Sequence, residues 1–133
     1  GHLCFNDRYF GFDDGIYASC RLLEVLARPG QTIPQLLEDV PRTFVTPEIR
    51  VGCPDEIKFQ LVEKVRDHLR RAGHSIIHVD AVRICLADGW GLLRASNTQP
   101  ALVLRFEART RQRLDEVRGL VEQVLEISRK EIV

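Results

Sequence analysis

The segment ALVLRFEA, residues 101–108, constrains the fold more than any other stretch of the chain. Leu102, Leu104 and Phe106 fall on one side of an extended backbone, and Val103, Arg105 and Glu107 fall on the other. A strand patterned in this way buries one face and leaves the other to solvent, so another layer must cover the apolar side. Two segments have the right stripe for that layer. Pro54-Asp55 opens a helix in which Ile57, Leu61, Val65 and Leu69 recur every four residues, with Phe59 and Val62 beside them, and Gly73 closes it. Thr110 caps a second, along which Leu114, Val117, Val121, Val124 and Ile127 form the apolar side. Extended runs at EIRVGC (48–53), Ser75 to Val79, Val82 to Leu86 and Gly91 to Arg94 supply further strands, and Asp88-Gly89 reads as a tight hairpin with positive backbone angles. The fold class is α+β, an antiparallel sheet with two flanking helices.

The N-terminal part differs in character. His2 to Asn6 reads as a strand, DRYFGFDD (7–14) as an aromatic turn, and about Asp14 to Ala27 as a helix capped by Asp13 or Asp14. Pro29-Gly30 ends that helix, and a short one, Ile33 to Asp39, precedes Pro41. The expected organisation is 1–27 as the end of a preceding unit, 28–47 as a connection and 48–133 as the C-terminal domain. Asp7, Asp13 and Asp14 are too irregularly spaced for a calcium loop.

Composition narrows the partners. Lysine plus arginine and aspartate plus glutamate both number 19, so no net field draws the chain to nucleic acid or to anionic lipid. The apolar runs are short and no basic-then-apolar leader pattern stands at the N-terminus, so neither a membrane span nor a signal is expected and the setting reads as cytoplasmic. Cys4, Cys20, Cys53 and Cys85 lack paired spacing, and the last three sit in apolar periodic segments, so plain buried thiols are expected. With His2, His68, His74 and His78 they offer no zinc spacing, and no metal site is expected in the chain.

Chemistry concentrates in RASNTQP, residues 94–100, between two strands that otherwise read as core. Arg94 offers a planar fork, Ser96 and Thr98 hydroxyls, Asn97 an amide, and a tight loop adds backbone N–H groups, which together suit an anion. The same residues also make ordinary hairpin turns. Arg105, on the outward face, either pairs with Glu107 or adds a second charge toward the loop.

GHLCFNDRYFGFDDGIYASCRLLEVL followed by DGWGLLRASNTQPALVLRFEA resembles the C-terminal third of α-D-phosphohexomutases of the phosphomannomutase/phosphoglucomutase type. The resemblance covers essentially the whole chain. It implies a fourth domain with a TATA-binding-protein-like four-stranded antiparallel sheet and two helices, preceded by a remnant of a sugar-binding domain. It implies that Arg94, Ser96, Asn97 and Thr98 bind the substrate phosphate, with Arg105 in support. Gly1-His2 resembles the end of a GEMSGH-like sugar-reading loop, which makes His2 its remnant. Relatives often carry glycine at the position of Ala81 and tyrosine at that of Phe44.

The activity so implied is interconversion of hexose 1-phosphate and 6-phosphate through a phosphoserine and a hexose 1,6-bisphosphate, with Mg2+ bound upstream. The chain has neither a TASHNP-like serine motif nor a DGDGDR-like metal loop, so by itself it is expected to be inactive and to have the upstream domains and the phosphosugar as partners. RASNTQP, rather than the RPSGTEP-like loop of phosphoglucosamine mutases, favours glucose or mannose phosphates. A phosphoglucosamine mutase domain and a stand-alone module for a ligand or nucleic acid are the alternatives.

Overall fold

Leu102, Leu104, Phe106 and Ala108 are all buried on one side of the strand Ala101–Ala108, as the alternation requires. A computed structural model describes residues 2–30 and 32–132; Gly1, expected beside His2 in the sugar-reading remnant, lies outside them. The chain divides into Gly1–Pro41 and Arg42–Val133.

In the second unit the elements are β1 (Phe44–Val45), β2 (Ile49–Gly52), α3 (Asp55–Arg71), β3 (Ser75–His78), β4 (Val82–Leu86), β5 (Gly89–Ala95), β6 (Ala101–Ala108) and α4 (Arg111–Lys130). All pairings are antiparallel, in the order β1-β6-β5-β4-β3, with β2 pairing the other half of β6. The sheet therefore has six strands rather than the four implied by the resemblance. β1 and β2 are two short pieces along one neighbour, separated where Pro47 interrupts the ladder. Thr46 bridges the break: its N–H donates to Phe106 O at 3.0 Å and its Oγ1 accepts from Phe106 N at 3.1 Å. Phe44–Val45, read as part of the connection, thus belongs to the sheet.

Leu61, Val65 and Leu69 of α3 and Leu114, Val117, Val121 and Leu125 of α4 close over the inner face of Val82, Ile84, Leu93, Leu102, Leu104 and Phe106. The stripe on α4 departs from expectation. Each residue turns 100°, so the two successive three-residue steps from Val121 to Ile127 fall 120° behind. Ile127 is accordingly 45% exposed, and Leu125 and Ser128 take the inner positions. Gly73, at φ 82, ends α3 in the left-handed conformation that favours glycine.

The hairpin at Asp88-Gly89 also differs. Leu86 pairs with Gly89, and neither Asp88 nor Gly89 has positive φ. Glycine is required there for close approach instead, since a Cβ would sit 2.7 Å from Glu107 O and 2.9 Å from Ala108 Cβ. In the three-residue turn between β3 and β4 the left-handed angle falls on Asp80, at φ 54, and not on Ala81. Aspartate tolerates that region better than alanine does, so the turn accommodates alanine where relatives often carry glycine.

In the first unit α1 spans Gly15–Leu26 and α2 spans Ile33–Leu36. The strand expected over His2 to Asn6 is replaced by a single bridge between Cys4 and Asp13, because no neighbouring strand continues the ladder. Asp14 is the cap: its Oδ1 accepts from Ile16 N and Tyr17 N, both at 2.9 Å, and its Oδ2 from Tyr9 Oη at 2.6 Å. DRYFGFDD packs as a turn, with Tyr9 stacked on Tyr17 at 4.0 Å between ring centroids. No residue of α1 is buried, so Cys20 is exposed, as is Cys4; Cys85 is half-buried and only Cys53 is fully buried.

Candidate phosphate-binding site

Residues 96–100 connect β5 to β6 and are tied together by hydrogen bonds around Ser96. Ser96 is only 6% exposed, with its side chain turned inward. Its Oγ accepts from Gln99 N at 3.2 Å and from Thr98 N at 3.4 Å, while its own N–H donates to Ala101 O. Serine here folds the loop on itself, as short hydroxyl side chains do in turns. That leaves the Asn97 N–H without an intramolecular acceptor among the described residues.

Two anchors fix the loop to the body. Cys53 N donates to Pro100 O at 2.9 Å. Lys58, 4% exposed in the first turns of α3, donates from Nζ to Asp55 Oδ1 at 2.6 Å and to Gln99 O at 3.2 Å. The sequence gives no warning of Lys58. A lysine near a helix start is usually solvated, and only the chain fold brings a carbonyl from residue 99 within its reach.

Arg94 ends the outward face of β5 and is exposed, as is Arg105 on β6. In register Arg94 faces Val103 and Arg105 faces Leu92, so the two arginines are diagonal neighbours on the face opposite the helices. Arg105 does not pair with Glu107, whose Oε1 instead accepts from Thr43 Oγ1 at 2.8 Å. Neither arginine forms an ion pair among the described residues. Arg50, the next arginine on this face, is held by Glu48 at 2.6 Å and by Gln99 Oε1.

A cleft of about 550 Å³ opens beside Arg94. Phe59, Val62 and Glu63 of α3 form one wall, Val79, Asp80 and Ala81 another, and Arg94, Ala95 and Asn97 the third. Phe59 was expected with the core stripe; it is 55% exposed and lines this opening, while Lys58 takes the buried position. Of the two carboxylates in the cleft, Glu63 is engaged by His78 Nε2 at 3.0 Å and by Arg66.

The structure therefore brings Arg94, Asn97 and Thr98 to one exposed edge, with Arg105 on the adjoining sheet face and Ser96 beneath as the organiser of the loop. His2 belongs to the first unit, where its Nδ1 lies 2.5 Å from Asp13 Oδ2. That histidine holds the Asp13 carboxyl below the usual carboxylate range. Among the described residues no group of three or more His, Cys, Asp or Glu is placed to hold a metal. No helix among them is long and apolar enough to cross a membrane.

Comparison with known proteins assigns both units. Residues 48–124 match the C-terminal domain of phosphoglucomutase/phosphomannomutase, and residues 1–44 match its alpha/beta/alpha domain III. The chain is 42% identical over 120 residues to a phosphomannomutase/phosphoglucomutase of Pseudomonas syringae pv. tomato, covering 90% of this chain and 26% of that protein. It is 39% identical over 128 residues to a phosphoglucomutase of Neisseria gonorrhoeae, covering 95% and 28%. A crystal structure of a phosphoglucomutase/phosphomannomutase family protein from Burkholderia thailandensis superposes with a TM-score of 0.81 at 36% identity, over 97% of this chain and 27% of that one. The chain thus spans about a quarter of the length of these relatives. It belongs to the phosphoglucomutase/phosphomannomutase family, of which it carries the C-terminal domain and part of domain III.

Proposed function

We propose that residues 42–132 bind the phosphate of a hexose phosphate within a phosphohexomutase that interconverts the 1-phosphate and 6-phosphate of glucose or mannose. The observation that carries this reading is the pairing of an internally bonded loop with two arginines that form no ion pair among the described residues. A guanidinium presents parallel donors that match two phosphate oxygens, and the loop contributes the Asn97 N–H, its amide and the Thr98 hydroxyl. Holding these donors in place beforehand removes most of the ordering cost of binding.

In this reading the chain supplies grip and orientation. Phosphoryl transfer needs a nucleophile and charge stabilisation at the moving group; the sequence carries no serine motif of the expected type, and no metal-ligating cluster stands among the described residues. The phosphoserine, the Mg2+ ligands and the hexose 1,6-bisphosphate intermediate belong, on this proposal, to the upstream domains of the mutase, acting in the cytoplasm. His2, at the edge of the sugar-reading loop, would face the ring rather than the phosphate. The domain limits 1–27 and 48–133 are proposed on the same basis, with the connection 28–47 contributing Phe44–Val45 to the sheet of the second.

The test is a backbone NMR titration of this chain with glucose 1-phosphate, with unphosphorylated glucose as the control. Arg94, Asn97, Thr98 and Arg105 should shift with the phosphosugar and not with glucose. Saturating phosphosugar that leaves residues 94–105 unmoved would overturn the reading.

A further inference from the structure

We propose that Arg83 is a third phosphate-binding arginine of this site, completing with Arg94 and Arg105 a triangle on the open sheet face that receives a phosphate monoester as its dianion. The inference deepens the phosphate-binding reading above and rests on it.

Strand register places the three residues. Arg83 on β4 faces Leu92 on β5, and Leu92 faces Arg105 on β6, so Arg83 and Arg105 flank Leu92 in one row across the sheet. Arg94 lies two residues beyond Leu92 on the same strand and so on the same face. It is therefore diagonal to both of the others, at roughly 7–8 Å. Three like charges so placed repel one another unless something of opposite sign joins them.

Among the described residues no carboxylate forms an ion pair with any of the three. Glu107, on this face beyond Arg105, accepts from Thr43. Glu48 is held by Arg50, and Glu63 by Arg66 and His78. Asp80 lines the cleft beside Arg94 without an ion pair to it among the described residues. An anion bound among them would offset their mutual repulsion.

Arg83 also has an unused donor. Its Cζ lies 4.6 Å from the centre of the Trp90 ring, on the side away from Arg94, since Trp90 pairs with Cys85 one row further back. The ring stabilises a planar cation by its face but accepts none of its in-plane N–H donors in the usual way. Accordingly the buried Nε of Arg83 has no hydrogen-bond partner among the described residues. A buried donor left in that state is costly, so a guanidinium that swings off the ring toward a phosphate held by Arg94 and Arg105 gains the bond it lacks on the ring.

The test compares this chain with its Arg83→Gln, Arg83→Lys and Arg94→Gln variants, titrated with inorganic phosphate and with glucose 1-phosphate at two salt concentrations, thermal melts being recorded for each. Arg83→Gln should weaken both ligands roughly tenfold and flatten the salt dependence, with Arg83→Lys intermediate because it keeps the charge and loses the fork. If Arg83→Gln fails to fold, Arg83→Lys with an unchanged melting temperature decides: a weakened affinity supports the site, and wild-type affinity overturns it. Loss of binding in Arg94→Gln with wild-type affinity in both Arg83 variants would overturn this inference and leave the phosphate-binding reading standing. No binding of either ligand to the wild-type chain would overturn both.

Discussion

Lys58 Nζ donates to the carbonyl oxygen of Gln99 at 3.2 Å, which ties the start of α3 to the far side of the loop that presents Asn97 and Thr98. The ammonium is buried and also lies 5.2 Å from the centre of the Phe59 ring. Hydrogen bonds from a charged donor contribute about 1.5 to 3 kcal/mol each. Lys58→Met, which keeps the length of the stem, should therefore destabilise the second unit by about 1 to 3 kcal/mol in chemical denaturation. It should also speed amide exchange of Thr98 and Gln99 well before that of β6. Unchanged protection in the loop would show that Ser96 and the bond from Cys53 N to Pro100 O hold it without Lys58.

Two glycines should respond in opposite directions. At Gly89 a Cβ would stand 2.7 Å from a backbone oxygen, so Gly89→Ala must move β5 away from β6 and should cost about 1 to 3 kcal/mol. At Gly119, inside α4, nothing lies within 4 Å of the added atom. Gly119→Ala should stabilise by about 0.5 to 1 kcal/mol, because alanine loses less backbone entropy in a helix. Melting temperatures of the two variants check both signs.

Much of this fold is legible because its main signals are local. The period-two pattern of ALVLRFEA and the four-residue stripe of α3 each follow from one stretch of chain, and both are realised. What escapes is set by distant neighbours. Lys58 is buried only because Gln99 arrives beside it, and Thr46 matters only because β6 needs an acceptor where Pro47 breaks the edge. In the candidate site Arg94 and Asn97 are readable as exposed polar residues between core strands. The inward turn of Ser96 depends on two loop N–H groups that no residue pattern specifies. Cys20 sits in an apolar periodic helix, yet α1 buries nothing within this chain.

That last feature gives a further expectation. Glu48 to Ile132 should retain amide protection longest, while the helix of residues 15–26, with Ile16, Leu22 and Leu23 exposed, should exchange first. Cys4 and Cys20 should react at once with a disulfide reagent. Cys53 should react only on unfolding, since burial shields its thiol and pushes its pKa up. Equal protection in the two segments would mean that an interface, internal or between chains, covers α1.

Acid should loosen the first unit in a definite window. The Arg21 guanidinium, bonded to Asp7 at 2.8 Å, is the main cause holding the Asp7 carboxyl at about 2. The folded pKa lies below the unfolded one of about 3.9, so the stability contributed is complete above that value and is lost as pH falls toward 2. Asp7 is exposed, and the effect should be small and sensitive to salt. Carbon-13 titration of the Asp7 carboxyl should give a midpoint near 2 in the wild type and a higher one in Arg21→Gln. Equal midpoints would show that the pair does not persist in solution.

The decisive kinetic experiment grafts this chain onto the Pseudomonas syringae relative in place of the segment it matches, about a quarter of that protein. The graft should turn over glucose 1-phosphate, and this chain alone should not, since the groups that transfer phosphate lie elsewhere on the proposal. Within the graft, Arg94→Ala should be the most damaging single change in the loop, because a bidentate charged contact to a dianion has no neutral substitute. At about 1.5 to 3 kcal/mol per charge-assisted bond, the loss in kcat/KM should be roughly ten- to several-hundredfold. Ser96→Ala should act differently, because its hydroxyl accepts from two loop N–H groups. Its effect should appear as faster loop exchange and a higher KM, and it should be smaller than that of Arg94→Ala. If binding the phosphate also draws this domain toward the upstream domains of the graft, Arg94→Ala will lower kcat as well as raise KM, since remote binding energy then assembles the site. A graft whose Arg94→Ala variant keeps its kcat/KM would show that RASNTQP is only a turn between two strands.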